Sequence, residues 1–250
     1  MKIAVAGGTG VVGRYVVSAA RSAGHEVVAM SRSTGVNLKS GDGLAAAMSG
    51  VDVVIDASNS SSTKRAPATS FFVQSIANLH RVAQATGVSR LVVLSIVGID
   101  RVPGVGYYDA KVSQERAAVS GTTPVTIVRA TQFHEFAGQL LSRMSAGPVA
   151  LLPSMRIQPV AARTVGEFLV GVASRSPTEA VIEIGGPQPL ALVSAGRQTL
   201  RRRHDRRIVI PLWIPGAAGR ALRGGALLAT DATTIAGPAF ADWLEGPDFV

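Results

Sequence analysis

The chain has 250 residues, 47% of them hydrophobic, no cysteine, and 25 lysines and arginines against 16 aspartates and glutamates, a formal charge of +9. That apolar content supplies a core for one large domain, or one domain with a small lobe, and argues against disorder. The missing cysteines exclude disulfides, thiolate metal sites and cysteine nucleophiles, while the positive balance suits an anionic ligand such as a dinucleotide phosphate.

The first predicted strand is KIAVA (2–6), entered with no leader pattern ahead of it. Glycines follow at 7, 8, 10 and 13, and then Val11, Val12, Tyr15, Val16, Ala19 and Ala20 recur at helical spacing until Gly24. EVVAM (26–30) is the next strand. Strand, glycine turn, helix and strand make a βαβ unit, the setting in which such a turn takes a pyrophosphate at the helix N-terminus. Gly7 permits the tight turn, Gly10 lets backbone approach the phosphates and Gly13 lets the helix pack closely. Thr9, Val11 and Val12 complete the candidate loop.

Further strand-like runs lie at 51–58, 90–95 and 124–130, separated by helical stretches at 44–49, 69–86 and 107–119. Their continuous apolar character fits parallel strands buried on both faces. The expected fold is therefore α/β, a doubly wound parallel sheet of the Rossmann type, with a dinucleotide-binding core over 1–147. Past 147 the alternation fades. A helix at 162–173, with Thr164 and Glu167 as a capping box, and a strand-like run at 207–215 suggest a small substrate-side lobe over 148–250. The Arg-rich run 197–207 lacks aromatic interleaving and is taken as a solvated helix end, so no nucleic acid is expected. No run of eighteen apolar residues occurs, so neither a membrane nor an export route is expected and the location is taken as cytoplasmic.

Ligands of such a sheet lie beyond the carboxyl ends of the strands, which gathers residues 6–14, 31–33, 57–60 and 95–98. No acidic residue closes the second strand. Ser31, Arg32 and Ser33 stand there instead, and a guanidinium flanked by hydroxyls suits a 2′-phosphate, placing NADP(H) ahead of NAD(H). Ala57, Ser58 and Asn59 follow the third strand as further cofactor candidates. The histidines have no metal-ligand spacing, so no metal is assigned.

GGTGVVG, SRS, LVVLSIVGID (91–100), YYDAK (107–111) and RATQF (129–133) together resemble the atypical short-chain dehydrogenase/reductases, and among them the NmrA-like, NAD(P)H-binding proteins. The resemblance implies a Tyr-x-x-x-Lys pair, Tyr107 and Lys111, working with Ser95 at the end of the preceding strand. Tyr107 would protonate the substrate oxygen, Ser95 would hydrogen-bond it, and Lys111 would hold the nicotinamide ribose and lower the phenol. Tyr108 is a competing proton donor. The resemblance also puts Asn59 beside the nicotinamide ribose, and sets Asn37 where relatives carry an aspartate near the adenine. His134 and Glu135 follow the fifth strand, with a structural role favoured for the histidine. Phe133, Phe136, Met144, Met155 and Trp213 suggest a flat apolar acceptor such as a quinone, with a core role favoured for Met144 and Met155.

The function expected is NADPH-dependent reduction of a small carbonyl or quinone-like acceptor. The alternative is a non-catalytic NADP(H)-sensing regulator with a protein partner; a nucleotide-sugar epimerase or dehydratase is third. The sequence leaves oligomeric state open.

Overall fold

The computed structural model describes residues 1–175 and 179–249. In chain order the first half runs β1 (Lys2–Ala6), α1 (Gly13–Ser22), β2 (Glu26–Met30), α2 (Leu44–Ala47), β3 (Val53–Asp56), α3 (Arg65–Thr86), β4 (Arg90–Ile96), α4 (Gly106–Val119) and β5 (Val125–Ala130). Strand β1 pairs in parallel with β2 and β3, so that Ala4 lies between Val28 and Val54, and β3 pairs in parallel with β4. Every residue of β3 is buried, as a strand covered on both faces requires. Helix α1 turns Tyr15, Val16, Val17 and Ala20 inward while Arg14 and Ser18 stay in solvent. Helix α3 ends at Gly87, whose φ of 76° is the left-handed cap that glycine adopts without strain.

Beyond β5 come α5 (Glu135–Arg143), β6 (Ser145–Ala146), β7 (Val149–Pro153), β8 (Arg156–Ile157), α6 (Ala162–Ser174) and β9 (Val181–Gly185). The chain then adds β10 (Leu190–Ala191), α7 (Leu192–Arg202), β11 (Ile208–Leu212), α8 (Gly216–Gly224), β12 (Thr233–Ile235) and α9 (Phe240–Glu245). The main sheet has seven strands in the order β12-β9-β5-β4-β3-β1-β2, the doubly wound architecture expected. Two of its strands, β9 and β12, were not anticipated. One is interrupted by Glu183 and the other is three residues long, so neither shows a period. Helix α6 begins at Ala162, which puts Thr164 inside the first turn and not at its N-cap.

Contacts divide the chain into two compact units, one of Met1–Ser95, Val105–Arg129 and Val165–Ile182, the other of Ile96–Gly104, Ala130–Thr164 and Glu183–Val250. A single cut after 147 does not reproduce this division, because most of α6 belongs to the first unit. Gly166 explains the placement: a Cβ there would lie 2.8 Å from the Tyr15 Cβ, so α6 rides directly on α1. On one face of the strands of the first unit, Ala4, Met30, Val54 and Leu91 gather with Leu44 and Ile76 into a single core cluster.

The second unit has its own three-stranded sheet in the order β11-β7-β6, on which α5 and α7 pack. It also holds an aromatic cluster, with His134 against Phe240 and Trp243 at centroid distances of 5.4 and 5.1 Å. His134 Nε2 donates to the Pro238 carbonyl at 3.1 Å, and burial lowers the imidazole to about 4. The structural role favoured for this histidine fits that setting. A base with its folded value below its unfolded one costs stability as pH falls from about 6.5 to about 4, a span worth about 3 kcal/mol. The melting temperature of the parent should therefore drop through that window, and His134→Gln should flatten the drop. Identical slopes in scanning calorimetry would remove His134 as the cause.

Candidate dinucleotide and catalytic site

The turn after β1 is built from backbone. The Gly7 and Gly8 amides donate to the Met30 carbonyl at 2.9 and 3.3 Å, and the Gly10 amide donates to the Gly7 carbonyl at 2.8 Å. Gly7 sits at φ +73°, pressed on Ala57 and Ser58, so a Cβ there would meet their backbone at 2.8 Å. At Gly13 a Cβ would lie 2.0 Å from the Gly7 oxygen, which fixes the start of α1 directly on the turn. Gly10 differs: its Cβ would meet only the Gly7 oxygen, at 3.1 Å, and Thr9, Gly10 and Val11 face solvent while Val12 and Gly13 are buried. No side chain caps α1; its Arg14 and Tyr15 amides donate to the Gly10 and Val12 carbonyls at 3.1 and 2.9 Å, and the positive end of the helix faces the glycine turn.

At the end of β2, Arg32–Thr34 form a 3-10 turn. Thr34 organises it: its hydroxyl accepts the Ser31 amide at 2.9 Å and lies 2.9 Å from the Ala29 carbonyl. The Ser31 and Ser33 hydroxyls are 2.8 Å apart. Arg32 is exposed, and among the described residues its guanidinium has neither an ion pair nor a hydrogen bond. Asn37 is used locally, accepting the Lys39 and Ser40 amides at 3.1 and 3.3 Å.

The third cluster joins the ends of β3 and β4 to α4. Gly106 starts that helix hard against α3, where a Cβ would be 2.9 Å from the Arg65 nitrogen. One residue on, the Tyr107 hydroxyl donates to Asn59 Oδ1 at 2.7 Å and the ring meets Phe72 edge-on at 6.0 Å. Burial, with Tyr107 beside it, pushes the Tyr108 phenol up to about 12, a poor proton donor at neutral pH.

Lys111 points inward. Its ammonium, on a residue 4% exposed, donates to the Leu94 carbonyl at 2.7 Å and to Gln114 Oε1 at 2.5 Å, above the Phe72 ring at 4.8 Å. Gln114 Nε2 donates in turn to Asp56 Oδ2 at 3.0 Å, and Asp56 Oδ1 accepts the Ser58 amide at 2.9 Å. Burial lowers Lys111 to about 8 against the pull of Asp56 and Glu115, and raises Asp56 against its Ser58, Lys111 and Gln114 contacts. Ser95, next to Leu94, is buried with its hydroxyl unpartnered among the described residues. Glu115 forms a two-bond pair with Arg129, at 3.0 and 2.7 Å, tying α4 to β5.

Ser95, Tyr107, Lys111 and Asn59 thus stand on adjoining elements of one unit. Phe133, His134, Met155 and Trp213 belong to the other, where Met155 is core and Trp213 is exposed under Arg223. Sequence reasoning missed Asp56, Gln114 and Thr34. An aspartate closing the apolar run VVID and a glutamine three residues after Lys111 were the available signals. Among the described residues no group of three or more His, Asp or Glu gathers as a metal site.

Residues 7–173 match the family described as NAD(P)H-binding. The chain belongs to that family. It is also 29% identical over 147 residues to the photosystem II assembly factor Ycf39 of Synechocystis sp., covering 53% of this chain and 45% of that protein, so it spans less than half the relative's length. Among solved structures it resembles an NAD-dependent NDP-hexosamine 5,6-dehydratase of tunicamycin biosynthesis, TunA (TM-score 0.69, 17% identity, 98% and 95% of the two chains). A short-chain dehydrogenase/reductase superfamily protein of Agrobacterium tumefaciens with bound NAD gives a TM-score of 0.64 at 19% identity over 92% and 93%. These likenesses establish the Rossmann fold.

The residues present fit a dinucleotide. A Cβ-free approach at Gly10, the positive N-terminal end of α1, the open guanidinium of Arg32 and the orphaned Ser95 hydroxyl match its anionic and polar groups. Gly10→Val should therefore fold, because its Cβ displaces little, and should lose NADPH binding. Gly13→Ala drives a carbon into the Gly7 carbonyl and should cost roughly 1–3 kcal/mol of stability. Circular dichroism melts with calorimetric titration check both; a folded Gly10→Val chain with parental NADPH affinity would contradict the phosphate-loop assignment.

Proposed function

We propose that the protein is an NADPH-dependent reductase that delivers hydride to a small carbonyl or quinone-like acceptor in the cytoplasm. The observation that carries this reading is the Tyr107 hydroxyl held on Asn59, with the Lys111 ammonium one helical turn away and the Ser95 hydroxyl unpartnered at the end of β4. When bound, NADPH supplies the hydride. Tyr107 holds at Oη the proton that the reduced oxygen takes up, and Asn59 fixes the direction of that hydroxyl. Ser95 offers a hydrogen bond to the oxygen as its charge develops. Lys111, largely protonated at neutral pH, acts from below: it biases the tyrosine electrostatically and holds the Leu94 carbonyl beside Ser95. Its inward direction replaces the ribose contact that the spacing alone suggests.

The preference for NADPH over NADH rests on Arg32 and on the lack of a carboxylate at the end of β2. A second reading, a dinucleotide-binding protein without turnover that works through a protein partner, draws support from that same inward Lys111 and from the likeness to an assembly factor.

Arg32→Asp should weaken NADPH selectively over NADH, since losing a charged hydrogen bond alone costs about 1.5–3 kcal/mol. Titration with both nucleotides measures it, and an unchanged ratio would make Arg32 a bystander.

Tyr107→Phe should leave NADPH affinity near the parental value while lowering turnover roughly 10²–10⁴-fold. The assay is NADPH oxidation with aldehydes, ketones and quinones. Turnover that ignores the substitution would move the proton donor elsewhere, and tight binding without oxidation of any acceptor would favour the regulatory reading.

A further inference from the structure

In the second unit α5 and α7 cover one side of the β11-β7-β6 sheet, with α7 so close that a Cβ at Gly196 would lie 2.3 Å from Leu152 Cδ1. On the other side of the sheet the side chains of β7 and β11 reach solvent. The parallel register sets Ile208 beside Val149 and Ile210 beside Leu151, and alternate residues project to the bare side. Ile208 is 64% exposed, Ile210 44%, Leu212 37% and Leu151 40%, and Trp213 follows at 65%. This is a contiguous aliphatic face ending in a tryptophan, larger than the scattered exposed residues of an ordinary surface.

The charge around it has one sign. The stretches that build the face, 144–156 and 208–223, contain Arg156, Arg220 and Arg223 and no aspartate or glutamate, with Arg206 just ahead of β11; Arg143 belongs to α5, and Arg207 turns toward that helix, donating to the Leu141 carbonyl and the Ser145 hydroxyl. Only Arg207 has a carboxylate partner among the described residues, Asp205. Arg223 lies over the Trp213 ring at 3.4 Å, which leaves a cation and an indole together at the rim.

We infer that this face docks peripherally on an anionic lipid bilayer. A shallow apolar surface inserts, the tryptophan lies at the headgroup level and the arginines meet lipid phosphates and carboxylates. A second copy of the chain fits less well, since face-to-face pairing would bring two arginine rims together. For an acidic protein the row of Val149, Leu151, Ile208, Ile210 and Leu212 would have to form the interface core, and the test below separates that occupant from a bilayer. This inference departs from the expectation of no membrane partner, which rested on the lack of an eighteen-residue apolar run; no described helix is long and apolar enough to cross a bilayer, and a bilayer-facing sheet needs none.

The test is flotation of the purified protein with phosphatidylcholine vesicles and with vesicles containing phosphatidylglycerol, at low and high salt. The parent should float with the anionic vesicles and be released by salt. Ile210→Glu combined with Trp213→Ser should abolish flotation, and Arg206→Gln and Arg220→Gln should each weaken it about five-fold. Parental melting temperature and NADPH affinity in these variants show that the fold is kept. Failure of the parent to bind anionic vesicles, or binding that survives the Ile210/Trp213 change, overturns the inference. A concentration-dependent dimer lost in that variant, seen by sedimentation, reassigns the face to a second copy, and capture on polyglutamate without vesicle binding reassigns it to an acidic protein.

Discussion

The buried carboxylate of Asp56 organises the catalytic end of the first unit. It closes β3, receives the amide of the loop that presents Asn59, and through Gln114 reaches the Lys111 ammonium on α4, which in turn grips β4 one residue before Ser95. Two opposite charges removed from water are tolerable only when each is supplied with partners, and a single glutamine serves both. A carboxylate and an ammonium linked this way resist independent movement. The loop after β3, the end of β4 and the first two turns of α4 are therefore set by one network, with the Glu115–Arg129 pair continuing it to β5.

The opposite end of the site depends on the lack of side chains. Gly7, Gly8 and Gly13 each allow two backbone segments to touch, while Gly10 leaves space free. Chemistry and cofactor recognition are thus separated in kind: backbone and one exposed guanidinium on one side, a buried hydrogen-bonded cluster on the other.

Much of this was legible in the sequence. The βαβ unit, the glycine positions, the serine-flanked arginine and the first five strands each follow from local period and residue chemistry, and the four-residue spacing of Tyr107 and Lys111 puts both on one helix face. What spacing cannot give is the direction of a four-carbon side chain. Lys111 turns inward because a buried acid waits there, and that acid is 55 positions earlier in the chain. The extra strands β9 and β12 escaped because their pairing is created by neighbours and not by their own pattern. The alternation in 208–212 resembles a half-buried strand, yet the side showing isoleucine and leucine is the one left uncovered.

Riding of α6 on α1 carries a consequence for how the chain is made. Arg90 Nη2 reaches the Ala173 carbonyl at 2.6 Å, and Gly166 lies on Tyr15, so the Rossmann core depends on residues that leave the ribosome long after β1–β5. During synthesis the nascent half must wait with its α1 flank bare, and contacts between distant segments slow the closing step. That interval is when the unfinished chain most needs a chaperone, and a fragment ending near residue 147 would remain in that unfinished condition.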